Sequence, residues 1–80
     1  MSGARLTLVS KPDCHLCDDA RATIAEVLTE FPGVVFDEQS ILDDPDLFAS
    51  YVEEIPVVLL DDRVHTIWRV DPARLRKALS

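Results

Sequence analysis

Lys11-Pro12-Asp13-Cys14-His15-Leu16-Cys17 follows the short apolar run Leu6 to Val9 and leads directly into a helix-patterned segment. No other stretch constrains the chain as much. Both cysteines of the 80-residue sequence lie in this one Cys-x-x-Cys unit. A Cys-x-x-Cys where a strand hands over to a helix points to thiol–disulfide exchange. The position supplies the chemistry. A helix N-terminus presents unbonded N–H groups and a partial positive charge. That environment stabilises a thiolate, which is the reactive form of cysteine.

The bulk properties narrow the field. Eighty residues make one small domain, residues 1–80, with a modest core. An apolar content of 48% suits a globular chain rather than a disordered one. Neither an internal repeat nor a low-complexity tract is present. Nothing approaches the roughly 18 apolar residues of a membrane span. The first residues, Met-Ser-Gly-Ala-Arg, lack the apolar core of a secretory signal, so the expected location is the cytoplasm. A net charge of −7 argues against nucleic acid and against anionic membrane surfaces. It favours solubility. In a reducing compartment, two cysteines three apart are catalytic or metal-binding more often than a structural staple. The loop they would close is worth only about 2 kcal/mol in the chain-entropy picture.

Periodicity gives the order of elements. Arg5 to Ser10 reads as a buried strand. Asp13 is a candidate N-cap, and Leu16, Ala20, Ile24, Val27, Leu28 and Phe31 form one apolar helical stripe. Phe31-Pro32-Gly33 stops that helix. Val34 to Phe36 reads as a short strand, and Asp37 to Leu42 as a polar connection. Asp44-Pro45 is a cap followed by proline at the first helical position, and it opens a brief helix with Leu47, Phe48 and Tyr51 on its apolar side. Val57 to Leu60 reads as a strand, Asp61-Asp62 as a tight turn, and residues 63–68 as the returning strand of a hairpin. Asp71-Pro72 repeats the cap-plus-proline device ahead of a last helix lined by Leu75, Ala78 and Leu79. The result is an α/β order, β-α-β-α-β-β-α. Its first half forms a parallel pair, its second half adds an antiparallel hairpin, and helices lie on both faces of a four-stranded mixed sheet.

This order, with Cys14-His15-Leu16-Cys17 opening the first helix and Ile55-Pro56 ahead of the third strand, resembles the thioredoxin fold. The length, and Lys11 three positions before Cys14, make the chain similar to glutaredoxins, and more narrowly to the short bacterial glutaredoxin-like proteins. The resemblance implies a dithiol–disulfide oxidoreductase in which Cys14 is the nucleophile and the two cysteines form a redox-active disulfide. Cys17, one helical turn further on, is the natural resolving thiol. Lys11 and a protonated His15 favour a thiolate at Cys14, while Asp13, Asp18 and Asp19 oppose it, so a moderate lowering of its pKa is expected. In the fold that the chain resembles, the proline matching Pro56 is cis. It abuts the cysteines and leaves the backbone of the preceding residue, here Ile55, to pair with an extended substrate. Lys11 matches the glutaredoxin lysine that meets a glutathione carboxylate, and Asp71 an acidic residue at the start of the last helix.

One stretch departs from the family. Glutaredoxins carry Gly-Gly between the fourth strand and the last helix, where backbone lies close to glutathione. Here the stretch reads Ile67-Trp68-Arg69-Val70. Bulky side chains crowd an approach that glycines permit, although the Arg69 fork could bind a carboxylate. The expected substrates are disulfide-bearing proteins or small molecules. Glutathione is a candidate cosubstrate and a thioredoxin-reductase-type protein a candidate reducing partner. A monomer with no bound metal or organic cofactor is expected. Two rival readings use the same residues. One is a binding module that holds a peptide at Ile55-Pro56 without turnover. The other is a metal or iron–sulfur site using Cys14 and Cys17 with His15 and His65, although a structural zinc site usually needs a second ligand cluster. His65 otherwise reads as a hairpin surface residue, and Trp68 as core or a groove wall.

Overall fold

The computed structural model describes residues 4–80. The elements follow in the expected order: β1 (Arg5–Ser10), α1 (His15–Leu28), β2 (Val35–Ser40), α2 (Pro45–Tyr51), β3 (Val57–Leu60), β4 (Arg63–Ile67) and α3 (Pro72–Leu79). The four strands form one sheet in the order β2-β1-β3-β4. β1 pairs parallel with β2 and antiparallel with β3, and β3 pairs antiparallel with β4. β1 is central and covered on both faces, which explains its nearly continuous apolar sequence.

The two faces of the sheet carry separate clusters. Leu6, Leu8 and Val58 point toward Ala20, Ile24 and Val27 of α1 and Leu75 of α3. Val9 and Val57 point the other way, and Tyr51 of α2 packs against their cluster. Alternate β1 residues therefore serve opposite faces, as the two-residue strand period requires. Cys17 belongs to the second cluster.

Local chemistry accounts for most boundaries. Asp44 and Asp71 cap α2 and α3, each with proline in the first turn. Asp61 and Asp62 both adopt left-handed φ, 51° and 68°, which suits the tight β3–β4 hairpin. The turn is also clipped to β1: Asp61 Oδ1 accepts from the Arg5 N–H at 2.9 Å, and the Asp61 N–H donates to the Arg5 carbonyl at 2.9 Å.

Four sequence expectations need correction. Asp13 does not cap α1; it sits at φ 56°, one residue outside, and Cys14 is the N-cap. α1 ends at Leu28 rather than Phe31. The amides of Thr29, Glu30 and Phe31 bond three residues back, to Glu26, Val27 and Leu28, and so tighten the final turn. Leu16 heads the expected apolar stripe yet is 40% exposed, outside the cluster that takes in Ala20, Ile24 and Val27. Finally, β2 runs through Asp37 and Glu38 to Ser40, where a polar connection was expected. An edge strand tolerates charge, and here each carboxylate has a partner. Asp37 accepts from Thr7 Oγ1 at 2.7 Å and from Arg5 at 2.6 Å, and Glu38 accepts from Ser10 Oγ at 2.8 Å.

Candidate active site

The site begins where β1 ends. Lys11 to Asp13 form the connecting loop, and Cys14 takes the capping position in extended conformation, with φ −116° and ψ 108°. Its Sγ accepts from the Cys17 N–H at 3.1 Å, and its carbonyl accepts from the Asp18 N–H at 3.1 Å. The sulfur thus meets one of the amides that a helix start would otherwise leave unpaired, and the carbonyl accepts the first regular helical bond. Cys14 and Cys17 are joined as a disulfide, with Cα atoms 5.2 Å apart. The two sulfurs differ in access. Cys17 is completely buried, packed with Val9, Ile41, Ile55 and Val57, whereas Cys14 is partly exposed. A reagent arriving from solvent meets Cys14 first.

The other residues singled out from sequence divide into two groups. Ile55 shares the apolar cluster that holds Cys17, and the Ile55–Pro56 peptide bond is cis. Asp71 is engaged as the cap of α3, its Oδ1 accepting from the amides of Ala73 at 2.9 Å and Arg74 at 3.4 Å. Lys11 and His15 are exposed beside Cys14, in the loop and at the first position of α1. His65 lies half-buried on β4, where burial and then the neighbouring Arg74 charge hold its pKa below the ordinary histidine value. Among the described residues no group of three or more His, Cys, Asp and Glu side chains converges in a way that would hold a metal ion.

Two features of the site escaped the sequence. The first is a polar frame behind the cysteines. Arg21 donates to both oxygens of Glu38, from Nε at 2.7 Å and Nη2 at 2.6 Å, and from Nη1 to Asp18 at 2.9 Å. Glu38 in turn accepts from Ser10, the last residue of β1. The Arg21 guanidinium, with the Ser10 hydroxyl assisting, holds the Glu38 carboxyl below the usual carboxylate range. The frame locks the end of β1, the early turns of α1 and β2 together, on either side of the Lys11–Cys14 loop. Only the Asp18-x-x-Arg21 spacing hinted at it. The second feature is the backbone at Trp68, a residue whose sequence suggested only core or a groove wall. It stands at φ 67°, a left-handed conformation that glycine takes freely and that costs other residues about 1–3 kcal/mol.

Comparison with known proteins places this geometry. Residues 5–80 match the family described as Glutaredoxin-like domain (DUF836). The chain belongs to this family. An uncharacterized protein of Mycobacterium tuberculosis is 32% identical over 80 residues, covering 95% of this chain and 82% of that protein. The X-ray structure of protein XcR50 from X. campestris is 34% identical, with a TM-score of 0.68 over 92% of this chain and 93% of that one. Mitochondrial thioredoxin 3 from Saccharomyces cerevisiae, in its oxidized form, superimposes with a TM-score of 0.71 over 99% of this chain and 78% of that one. At 17% identity that last likeness speaks for the fold, which is thioredoxin-like. This glutaredoxin-like chain therefore carries a cysteine pair at disulfide distance at the head of α1 in a thioredoxin fold, an arrangement that supports a redox role. No helix among the described residues is long and apolar enough to cross a membrane.

Proposed function

We propose that this protein is a glutaredoxin-like thiol–disulfide oxidoreductase, with Cys14 as nucleophile and Cys17 as resolving thiol. The observation that carries the reading is the asymmetric pair: Cys14 partly exposed at a helix N-cap, Cys17 buried one turn behind it and bonded to it. In the reduced protein, the Cys14 thiolate attacks one sulfur of a substrate disulfide. The substrate S–S bond breaks, a Cys14–substrate bond forms, and the departing thiolate takes up a proton. Cys17 then loses its proton and attacks Cys14 Sγ, which releases the second substrate thiol. Two electrons pass to the substrate, and the protein is left with the Cys14–Cys17 disulfide. The helix N-terminus and the Cys17 N–H favour negative charge on Cys14 Sγ.

The remaining roles follow. The Ile55 backbone pairs with the extended substrate. Among the described residues it takes no part in the loop and turn backbone hydrogen bonds, which leaves its N–H and carbonyl open to strand addition. Lys11 offers a cation to a substrate carboxylate, and His15 tunes the thiolate. Asp71 contributes through its position at the start of α3. Glutathione, or a reductase of the thioredoxin-reductase type, returns electrons to the disulfide in the cytoplasm. The test is a trap. A Cys17→Ser variant, reduced and mixed with a disulfide substrate, is expected to accumulate a mixed disulfide at Cys14 that dithiothreitol releases. If no adduct forms and neither glutathione nor dithiothreitol cycles the wild-type pair, the reading is wrong.

A further inference from the structure

Charge is divided unevenly along the chain. Residues 1–62 carry three Lys and Arg against fourteen Asp and Glu, whereas residues 63–80 carry five against one. A protein of net charge −7 thus ends in a block of net charge +4. The block makes up β4, the loop after it and α3.

Most of its cations are not neutralised within the molecule. Among the described residues Arg5 pairs with Asp37, Arg21 with Asp18 and Glu38, and Arg76 with Glu30. Arg63, Arg74 and Lys77 are exposed and form no ion pair. The carboxylates closest to them in sequence are turned to other work. Asp61 Oδ1 accepts from the Arg5 N–H, Asp62 lies near the Arg5 guanidinium, and Asp71 caps α3. Arg69 lines a separate recess with Asp19 and does not belong to the group.

The three free cations share one side of the fold. Arg63 stands opposite Leu60, which packs against the cluster under α1 and α3, so it lies on the face of the sheet that α3 covers. Arg74 and Lys77, three apart, are neighbours on the surface of α3. His65 links strand and helix: its ring is half-buried on β4, and Arg74 is close enough for its charge to act on it. Among the described residues β4 has a strand on one side only, so its outer backbone groups are open to an added strand. The other edge of the sheet, β2, carries Asp37 and Glu38 instead. An extended segment arriving at the sheet meets cations at one edge and carboxylates at the other.

We propose that the β4–α3 edge is a docking surface for a short, acidic, extended segment of a partner protein, whose carboxylates meet Arg63, Arg74 and Lys77. The remainder of the molecule sets the length. A nucleic acid or an anionic membrane continues past the edge and meets residues 1–62, which carry a net charge of −11. A segment of a few residues does not.

Two fluorescein-labelled peptides test it, Glu-Val-Glu-Val-Glu-Val-Glu-amide and its counterpart with Gln in place of Glu. Each is titrated with the oxidised protein in about 20 mM salt, where screening is weak, and read by fluorescence anisotropy. The Glu peptide is expected to bind at least about tenfold more tightly, and the difference to vanish by about 300 mM salt. Arg63→Gln, Arg74→Gln and Lys77→Gln together remove the preference; all three positions are exposed and unpaired, so the fold survives the change. Ala22→Glu, Ala25→Glu and Ala49→Glu together, at exposed helical positions, alter the net charge equally and keep the preference. Equal affinity for the two peptides, or no binding of either, overturns the proposal in the parent protein alone. So does a preference that survives the three Gln changes, or one that the three Glu changes also abolish. A labelled thymidine heptanucleotide that binds more tightly than the Glu peptide overturns it in favour of nucleic acid. Self-association at low salt that the three Gln changes abolish overturns it in favour of a second copy of the chain. The thiols take no part in the readout, so the outcome is independent of the exchange reading.

Discussion

Glu38→Ala should be the most damaging single change in the polar frame, and the reason lies in what it leaves behind. The carboxylate serves two partners, the Arg21 guanidinium through two bonds and the Ser10 hydroxyl through one. The Arg21–Glu38 pair is partly exposed, with 42% and 29% of the side chains accessible, so solvent screens it. Exposed pairs are worth about 0.2–1 kcal/mol, and the bidentate geometry puts this one near 1 kcal/mol. Ser10 is only 4% exposed. A buried hydroxyl stripped of its acceptor costs about 1–3 kcal/mol. Glu38→Ala is therefore expected to lose about 2–4 kcal/mol. Arg21→Ala, which leaves Ser10 its acceptor, should lose about 1 kcal/mol. At about 4–8 °C per kcal/mol for a domain of this size, the melting temperature falls by at least about 8 °C in the first variant and about 5 °C in the second. Adding Ser10→Ala to Glu38→Ala removes the orphaned hydroxyl and should recover about 1 kcal/mol. Urea and thermal unfolding of the oxidised proteins measure all three. Equal losses for Arg21→Ala and Glu38→Ala, or no recovery on adding Ser10→Ala, would refute the assignment of the cost to the buried hydroxyl.

Three further outcomes follow from other parts of the molecule. Asp71→Ala strips the cap from α3 and should cost about 1 kcal/mol, while Asp71→Asn, which keeps a capping oxygen, should cost less; unfolding midpoints decide. Arg21 and Arg5 hold the Glu38 and Asp37 carboxyls below the usual range, so the unfolded chain binds their protons first as pH drops. Their stabilisation is complete above the usual carboxylate pKa, roughly 4, and is lost as pH falls through the depressed folded values; urea midpoints between pH 6 and 3 should trace this loss. His65 favours its neutral form in the fold because it is buried, and because Arg74 is near. Its contribution is present above the unfolded pKa of about 6.5 and declines below it, so His65→Phe should flatten the stability slope between pH 7 and 5.

What the sequence disclosed, and what it hid, has a physical pattern. Features written in local chemistry were legible. The Asp44-Pro45 and Asp71-Pro72 caps, the Asp61-Asp62 turn and the strand-to-helix placement of Cys14 all depend on residues within a few positions of one another. Features that depend on distant partners were not. Asp37 and Glu38 look like loop residues until Arg5, Thr7, Ser10 and Arg21 are seen to neutralise or bond them, and then they sit comfortably in an edge strand. Asp13 has the right side chain for a cap, yet its left-handed backbone puts it outside α1 and leaves the cap to sulfur. Leu16 keeps helical register with Ala20 and Ile24 but is left half-exposed, outside the cluster they join. The left-handed turn at Trp68 opposes its own residue preference, so no propensity argument reaches it.

The account stands most directly on a redox equilibrium. Protein held in buffers of graded dithiothreitol ratio and, for the less reducing end, graded glutathione ratio, quenched with an alkylating reagent and weighed, should show one transition between the Cys14–Cys17 disulfide and two labelled thiols. The dithiol-to-disulfide ratio should change tenfold for each 30 mV or so, as a two-electron couple demands. A slope near 59 mV per decade, or a pair that stays in one state across roughly −300 to −120 mV, would contradict it.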